Sequence, residues 1–353
     1  MVMALLLAFA IVLSVLCIWI VVPPPNGIAI VATDVAIELS PYLLVLNAAL
    51  LAIALRSRAG PRLAAVAMAS LNVVLCSLPL GAMLQSGIRP AWPMSSARTP
   101  GIIEFPIPFA MGVPSPTLAY VPAVGTKHPI VFTIYGGAWE RGEPAKDAPL
   151  DRALARDGYA VFALDYPHAP ASRFPAALDD VRKEIAFILR NADTYRADRT
   201  RVAILGHSSG GELAELSAFA PRSPFRALIS YSGAIDLVNG YKTPPRPDPI
   251  GVRSVISAYM GSTPDQDPQR YRAASPIDQV RSGLPPTLMI YADRDHVVEF
   301  ASAVMLRDAL RSKGDDVTFV DLPWTEHGFE EVPFGLHAPV ALRAVEEFLH
   351  HTL

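Results

Sequence analysis

The segment Gly206-His207-Ser208-Ser209-Gly210 constrains the fold more than any other part of this chain. It lies between an apolar run, 201–205, and a helical pattern, 212–220. A strand that turns at once into a helix holds the serine at the turn in strained backbone angles and presents its hydroxyl at the helix start. Small residues are required because the two backbones approach too closely for a Cβ atom. The pattern predicts Ser208 as a nucleophile, and the alternative is a glycine-rich turn with a solvated serine.

Beyond residue 101, apolar runs alternate with amphipathic helical patterns. Residues 102–105 and 118–121 are predicted to form a first hairpin. Further strands are expected at 130–135, 159–164, 202–205, 227–231, 287–292 and 317–322, with helices at 147–156, 176–191 and 337–350. Strands that alternate with helices favour an α/β fold with a mostly parallel sheet that is covered on both faces. In such sheets, functional groups gather at the carboxyl ends of the strands.

Charged residues are distributed unevenly along the chain. Residues 1–86 carry only five of them: Asp34, Glu38, Arg56, Arg58 and Arg62. The remainder has 27 Lys and Arg against 31 Asp and Glu, which is a slight acidic excess. No basic patch and no interleaving of aromatic and basic residues occurs, so a nucleic-acid partner is not expected.

Three apolar segments in the first 86 residues have the composition of transmembrane helices: 3–22, 39–55 and 63–84. The first is about as long as the hydrocarbon layer is thick. It lacks the basic start and the Ala-x-Ala cleavage site of a secretion signal, so we interpret it as an anchor. The alternative is that all three segments are buried helices of a soluble fold.

The arginines predict the orientation of this anchor. Arg56, Arg58 and Arg62 crowd the turn between the second and third apolar segments, and no other Lys or Arg precedes residue 89. Basic residues favour the cytoplasmic side, so the chain after about residue 86 is expected on the extracytoplasmic side. An excess of arginine over lysine, with abundant alanine and proline, indicates a GC-rich bacterial genome and hence the bacterial cytoplasmic membrane.

These patterns divide the chain into three parts. Residues 1–86 are the predicted three-helix membrane anchor, 87–101 a proline-rich linker and 102–353 an α/β domain. Within the last part, residues 239–275 are rich in Pro, Gly and Tyr and form a candidate small lid. The alternative is that residues 239–275 form a surface segment that does not gate the site.

A serine hydroxyl needs a base to take its proton and a carboxylate to orient that base. Among eight histidines, His327 is the predicted base because it follows the last predicted strand by a short loop. Asp295, which comes just after the strand at 287–292, is the predicted carboxylate. Its neighbour Asp293 is the competitor, and we interpret it as a cap of its own turn. The chain order Ser208, Asp295, His327 is the one expected of α/β-hydrolases.

Acyl-transfer chemistry also needs hydrogen-bond donors for an oxyanion. The backbone N–H of Ser209 is one expected donor, because Ser209 directly follows the nucleophile. The others are expected from Tyr135-Gly136-Gly137-Ala138-Trp139, which follows the strand at 130–135. Glycines in this position allow backbone amides to face a substrate carbonyl.

With these motifs, residues 100–353 resemble the hormone-sensitive-lipase-like branch of the α/β-hydrolases. Residues 135–139 are similar to its His-Gly-Gly-Gly-Trp/Phe, and 206–211 to its Gly-Asp-Ser-Ala-Gly-Gly. Residues 165–170, with 174–181, are similar to its Asp-Tyr-Arg-Leu-Ala-Pro segment and the Phe-Pro-Ala-Ala-Leu-Asp-Asp helix start. The acid and base segments, 284–295 and 327–329, match as well.

The resemblance implies that Ser208, Asp295 and His327 form a triad, and that the amides of Gly137, Ala138 and Ser209 form the oxyanion hole. Two departures stand out. Tyr135 replaces the family's histidine, and Ala138 replaces its third glycine and narrows the approach of an acyl group. The family's N-terminal cap helices are not recognisable, and the candidate membrane helices stand in their place.

The sequence therefore predicts a membrane-anchored serine carboxylesterase or lipase that cleaves small or lipid-like acyl esters through an acyl-enzyme. Isoprenylcysteine methylesterases, which are similar through 136–139, give a minor substrate alternative. The same triad could pass the acyl group to an alcohol or sugar, which would make the protein an acyltransferase. A third hypothesis is a membrane-tethered binding module without catalysis, and a peptidase is disfavoured because no gating domain is present. No cofactor is expected, and no metal, because no His/Cys/Asp cluster has ligand spacing. The oligomeric state is left open.

Overall fold

The computed structural model describes residues 2–57, 62–91, 101–109 and 113–353. Within these ranges, eight strands form one sheet. The strands are β1 (Ile102–Phe109), β2 (Val113–Pro122), β3 (His128–Ile134), β4 (Ala160–Leu164), β5 (Ala197–His207), β6 (Ala227–Tyr231), β7 (Thr287–Ala292) and β8 (Val317–Leu322). The helices are α1 (Val2–Cys17), α2 (Gly27–Glu38), α3 (Ser40–Arg56), α4 (Arg62–Gln85), α5 (Ala148–Arg156), α6 (Ala176–Arg190), α7 (Ser209–Ala218), α8 (Leu237–Lys242), α9 (Val252–Met260), α10 (Pro268–Ala273), α11 (Phe300–Ser312) and α12 (Ala338–Thr352).

The order of strands across the sheet is β1-β2-β4-β3-β5-β6-β7-β8. β1 and β2 form the predicted hairpin, with Ile102 opposite Pro122, and β2 also runs antiparallel to β4. Every other pair, from β4 through β3 to β8, is parallel. The predicted mostly parallel sheet is confirmed.

Strand β5 illustrates how the sheet is buried on both faces. Successive side chains of a strand point to opposite faces. Val202 and Ile204 pack into the layer that contains α6 and α7, whereas Ala203 and Leu205 pack into the layer that contains α5 and α12. All four side chains are fully buried. This continuous apolar run is the pattern of a parallel strand covered by helices on both sides.

The helices α1, α3 and α4 pack around a separate apolar core that includes Ala10, Leu50 and Cys76. The amide of Asn72 donates to Asn47 Oδ1 over 3.0 Å, and both side chains are buried between the helices. This hydrogen bond links α3 to α4 and satisfies the buried amide oxygen of Asn47.

The expectation of three membrane helices is only partly met. Among the described residues, α4 is long and apolar enough to cross a membrane by itself. α2 and α3 qualify as a second span only when taken together, and they are bent by 70° to each other. The remaining apolar helix, Leu5–Ile20, is shorter than a full span. Length and composition therefore support one span, or two with the bent pair.

Helix α2 packs on the α/β domain. Its last residue, Glu38, is fully buried and accepts hydrogen bonds from the ring Nδ1 of His337, at 2.7 Å, and from the backbone N–H of His337, at 2.8 Å. A Cβ atom on Gly328 would lie 2.8 Å from Asp34 Oδ2, and one on Gly335 would overlap Glu38. The close approach of α2 to the domain therefore depends on glycine at two positions.

The ends of the neighbouring helices contact the same side of the domain. Ile20 O, just after α1, accepts from Arg294 Nη1 at 2.8 Å and from Trp324 Nε1 at 3.0 Å. At the start of α3, the hydroxyl of Tyr42 donates to Phe334 O over 3.1 Å. Residues 92–100 of the predicted linker and Arg58 of the predicted cytoplasmic turn lie outside the described residues.

Candidate active site

The turn from β5 into α7 has the geometry of a nucleophile elbow. Ser208 has φ 51° and ψ −117°, a backbone conformation that side-chain-bearing residues rarely adopt. A Cβ atom on Gly206 would overlap Gly210, and one on Gly210 would overlap the backbone of Ile134 and Tyr135. The glycines thus allow β5, α7 and the end of β3 to meet, and this contact sets the Ser208 hydroxyl above the sheet edge.

The structure brings together the three side chains that the sequence singles out. His327 Nε2 lies 2.8 Å from Ser208 Oγ, and His327 Nδ1 lies 2.7 Å from Asp295 Oδ2. The other carboxylate oxygen, Asp295 Oδ1, accepts from the backbone N–H groups of Val297 and Val298, both at 2.7 Å. These two backbone bonds fix the carboxylate, the carboxylate fixes the imidazole, and the imidazole faces the hydroxyl.

The surroundings of His327 set its protonation. Burial alone would lower its pKa, but the charge and hydrogen bond of Asp295, with Glu330 and Glu326 nearby, outweigh that effect and raise the pKa to about 9. The raised pKa favours the imidazolium that forms when His327 accepts the proton of Ser208. A base that must be neutral to accept a proton then works better as the pH rises toward 9.

The three predicted oxyanion amides differ in whether their N–H groups already have a hydrogen-bond partner. Ala138 and Trp139 both have positive φ, near 57° and 59°, so the loop after β3 is held in a sharp turn beside Ser208. No hydrogen bond of the Ala138 or Ser209 backbone N–H occurs among the described residues. The N–H of Gly137, in contrast, donates to Ser209 Oγ over 3.0 Å. The motif of the hormone-sensitive-lipase-like branch has alanine at the position of Ser209. Here the Ser209 hydroxyl accepts the hydrogen bond of the Gly137 amide.

Aromatic side chains hold the oxyanion loop from both ends. Trp139 stacks on Tyr259 with centroids 4.3 Å apart, and its indole N–H donates to the buried carboxylate of Glu212 at 3.1 Å. Tyr135 stacks on Tyr166 at 4.5 Å. The loop is therefore supported by packed rings and not only by its own turn.

Tyr135 also contacts residues 165–170, a segment that the sequence analysis identified as a motif. Its hydroxyl donates to Asp165 Oδ1 at 2.7 Å and lies 2.9 Å from His168 Nε2. Burial, followed by the bond to Asp165, raises the pKa of this phenol far above its usual range, so it acts as a fixed donor. The departure from the family's histidine is thus accommodated by a bond to the 165–170 segment.

Asp293 and three further histidines have interaction partners outside the triad. Asp293 accepts the backbone N–H of Thr325 at 3.3 Å, and so ties the end of β7 to the loop that carries the base. His296 pairs with Glu326 at 2.5 Å, and His337 pairs with Glu38. His207 stacks on Tyr231 and lies 3.5 Å from Glu330 Oε1. Each of these histidines has a carboxylate or an aromatic partner of its own.

A first pocket opens beside Ser208 on the side of α8 and α9. We call it the apolar pocket, because its walls include Leu237, Ile250, Val255, Ile256 and Val298. The segment 239–275 supplies most of one wall, so it contributes to the pocket whether or not it moves. Trp139 and Ala138 form the floor near the nucleophile.

A second pocket also reaches Ser208, and it shares Ile250 and Val297 with the apolar pocket. We call it the α2 pocket, because Gly27, Ile30, Val31 and Asp34 of that helix line it together with His327. Helix α2 therefore lies beside the site, although the sequence shows no recognisable cap helix. Asp34 and Glu38 are the only acidic residues before residue 86, and their spacing of four puts them on one helix face.

A doubly covered, mostly parallel sheet with a serine elbow, a histidine and an aspartate at its carboxyl edge defines an α/β-hydrolase. A model of the BD-FAE family matches residues 119–310, which is more than half of the chain. The chain belongs to the BD-FAE family.

Known proteins with similar sequences or folds agree with this class. Esterase LipC of Mycobacterium tuberculosis is 31% identical over 235 residues, which cover 63% of this chain and 58% of LipC. The probable carboxylic ester hydrolase LipM of the same organism is 29% identical, over 63% of this chain and 54% of LipM. The chain thus matches little more than half the length of these curated relatives. An esterase structure from Pyrobaculum calidifontis superposes with a TM-score of 0.63 at 22% identity, over 78% of this chain and 92% of that one.

Proposed function

We propose that this protein is a membrane-anchored serine hydrolase that cleaves carboxylic esters. The observation that carries the proposal is the continuous line of hydrogen bonds from Ser208 Oγ through His327 to Asp295, at 2.8 and 2.7 Å. Serine nucleophiles are activated by this arrangement of base and orienting carboxylate. The esterase names of the curated relatives and the motifs similar to the hormone-sensitive-lipase-like branch support the same reaction class.

The residues act in the following order. Ser208 Oγ attacks the ester carbonyl carbon while its proton passes to His327 Nε2, and the carbonyl oxygen becomes an oxyanion held by the amides of Ala138 and Ser209. The intermediate collapses, the C–O bond to the alcohol breaks, and His327 gives the proton to the leaving oxygen. Water then attacks the acyl-enzyme while His327 takes its proton. The bond from the acyl carbon to Ser208 Oγ breaks, His327 returns the proton to Oγ, and the carboxylic acid leaves. Each oxyanion donor contributes roughly 3–4 kcal/mol to the stability of the transition state.

The two pockets support a separate place for the acyl half and for the alcohol half of the ester. His327 protonates the leaving oxygen, so the alcohol half lies on the side of His327, which lines the α2 pocket. The acyl half then lies in the apolar pocket, whose walls are formed by aliphatic side chains. This division favours esters of an apolar acyl group.

The N-terminal helices support anchoring in a membrane. Large apolar side chains of α1, α3 and α4 are exposed to more than half of their full extent: Leu5, Val12, Val15, Val45, Ile53, Leu55, Leu63, Leu71, Val74 and Leu84. A continuous apolar surface of this kind is expected to face lipid. Ile28 and Val31 of α2 are exposed as well, but α2 packs on the α/β domain through Glu38. We therefore interpret α1, α3 and α4 as the anchor and α2 as a helix between the bilayer and the α/β domain.

The contacts of these helices agree with an extracytoplasmic catalytic domain. Ile20 after α1, Tyr42 at the start of α3 and Ile88 after α4 all contact the α/β domain, whereas Arg56 and Arg62 lie at the opposite ends of α3 and α4. Arginines at the far ends favour the cytoplasmic side there. The α/β domain then lies outside the bacterial cytoplasmic membrane.

Cysteine labelling tests this topology. We expect a membrane-impermeant maleimide to label Ser312→Cys, an exposed position on α11, in intact cells. Ser57→Cys, in the turn after α3, should be labelled only after the cells are lysed. The native Cys17 and Cys76 are buried and serve as the unlabelled background. The reverse pattern of labelling would contradict the extracytoplasmic placement.

A serine-directed phosphonate tests the reaction class. With p-nitrophenyl ethylphosphonate we expect one equivalent of p-nitrophenolate per enzyme and a phosphonylated peptide that contains Ser208. Labelling should be lost after denaturation, because only the folded elbow activates the hydroxyl. Folded protein that does not react at Ser208 would exclude the proposed nucleophile. Transfer of a butyryl group to an added alcohol, in place of release as butyrate, would instead indicate the acyltransferase.

A further inference from the structure

Asp34 is a buried carboxyl group without an evident structural partner. It lies on α2, is 8% exposed, and lines the α2 pocket together with Ser208 and His327. Neither of its oxygens makes a hydrogen bond among the described residues: Oδ1 is enclosed, and Oδ2 is the oxygen nearer to Gly328. Because buried polar groups are nearly always paired, an unpaired carboxyl group that lines a pocket is a candidate for binding a group that enters it.

The position of Asp34 relates it to the leaving alcohol. Asp34 Oδ2 would lie 2.8 Å from a Cβ atom on Gly328, the residue that directly follows the proposed base. The alcohol half of an ester must pass close to His327, because His327 supplies the proton to the leaving oxygen. Asp34 is therefore within the part of the site that the alcohol occupies.

The charges around Asp34 indicate what kind of alcohol fits. Burial raises its pKa well above the usual range, and the carboxylates of Glu326, Glu330, Glu38 and Glu331 raise it further. A neutral carboxyl group both donates and accepts a hydrogen bond. Two cations line the same pocket: Lys146, which is engaged by Glu331 at 2.8 Å and by Gly136 O at 3.2 Å, and Arg141. With Asp34 in its neutral form, a neutral hydroxyl matches this carboxyl group itself better than a charged headgroup does.

We propose that Asp34 binds a hydroxyl group of the leaving alcohol, and that the natural substrates are acyl esters of neutral polyhydroxy alcohols such as glycerol or a sugar. This inference rests on the proposed esterase function. It makes Asp34, a residue of the N-terminal segment, a specificity determinant for a reaction carried out by the α/β domain.

Paired esters with the same acyl group test the proposal on the full-length protein in detergent. The measured quantity is kcat/KM for glycerol monobutyrate divided by kcat/KM for propyl butyrate, which lacks the free hydroxyls. We expect Asp34→Ala and Asp34→Leu to lower this ratio about tenfold, which corresponds to about 1.4 kcal/mol. Asp34→Asn keeps a donor and an acceptor and should retain most of the ratio. Because both rates come from one preparation, a reduced folded fraction cancels.

The controls separate the alternatives. Asp308→Ala on α11 removes an exposed carboxylate that lines neither pocket, and it should leave the ratio at its wild-type value. A ratio that stays constant in Asp34→Ala and Asp34→Leu would overturn the inference while leaving the esterase intact. A selective loss with butyrylcholine in place of the glycerol ester would also overturn it, in favour of a cationic alcohol. No turnover of any butyrate ester by the wild-type protein would overturn the esterase function and the inference together.

Discussion

Replacing Ser208 with alanine is expected to lower kcat for p-nitrophenyl butyrate by about 10⁴- to 10⁶-fold, the range found when the nucleophile of a serine hydrolase is removed. The reason is that the acyl-enzyme can no longer form, and only binding and oxyanion stabilisation remain. The measurement is steady-state turnover together with the pre-steady-state burst of p-nitrophenolate. The burst should vanish in the variant because it reports the acylation of one serine per molecule.

A matched control is available on the same helix. Ser217 is buried on α7, 4% exposed, and lines neither of the two pockets beside Ser208. Ser217→Ala should keep the burst and the turnover, which separates loss of the nucleophile from a general disturbance of α7. Ser208→Ala that unfolds at the same temperature as the wild type but still shows a burst would identify a different nucleophile.

The fold could be predicted from the sequence because its signals are local. The continuous apolar run of β5 and the helical spacing of Val181, Ile185 and Ile188 each reflect an element that is buried by its immediate neighbours. The glycines of the elbow report a steric requirement that is confirmed at Gly206 and Gly210. Ser208, Asp295 and His327 could be singled out because each follows a strand that has its own apolar pattern, and their catalytic roles stay predictions.

The α2 pocket could not be predicted because it depends on contacts distant in sequence. Asp34 and Gly328 are almost 300 residues apart, and neither carries a recognisable motif. The same holds for the pairing of Glu38 with His337, both fully buried. A charge-free N-terminal segment predicts insertion into lipid, but it does not indicate which of its helices leaves the bundle to pack on another domain.

The hydrogen bond of the Gly137 amide also depends on a side chain that the motif does not specify. The resemblance predicts three oxyanion amides, and the structure directs one of them at the hydroxyl of Ser209. The difference arises from a single atom, because the family's alanine at this position has no hydroxyl to accept the amide. A motif match therefore predicts which loops form the oxyanion hole better than it predicts the direction of each N–H.

The second large effect is expected from Asp295→Asn, with a loss of about 10⁴-fold in kcat. Asp295 Oδ1 accepts from the N–H groups of Val297 and Val298, so the oxygen of an asparagine would take that place. Its NH₂ group would then face His327 Nδ1, where the carboxylate accepts a hydrogen bond from the ring N–H in the wild type. The imidazole would be forced into the tautomer that carries its proton on Nε2, and it could no longer accept the proton of Ser208.

The pH profile of the same variant provides an independent readout. In the wild type, kcat/KM should rise with pH to an apparent pKa near 9, because Asp295 raises the pKa of His327 and only the neutral ring acts as base. Removing the charge of Asp295 leaves burial as the larger influence, so the acid limb should move to lower pH. Asp293→Asn is the control, since Asp293 bonds Thr325 and does not reach His327. An acid limb that moves with Asp293→Asn and not with Asp295→Asn would assign the orienting carboxylate to Asp293.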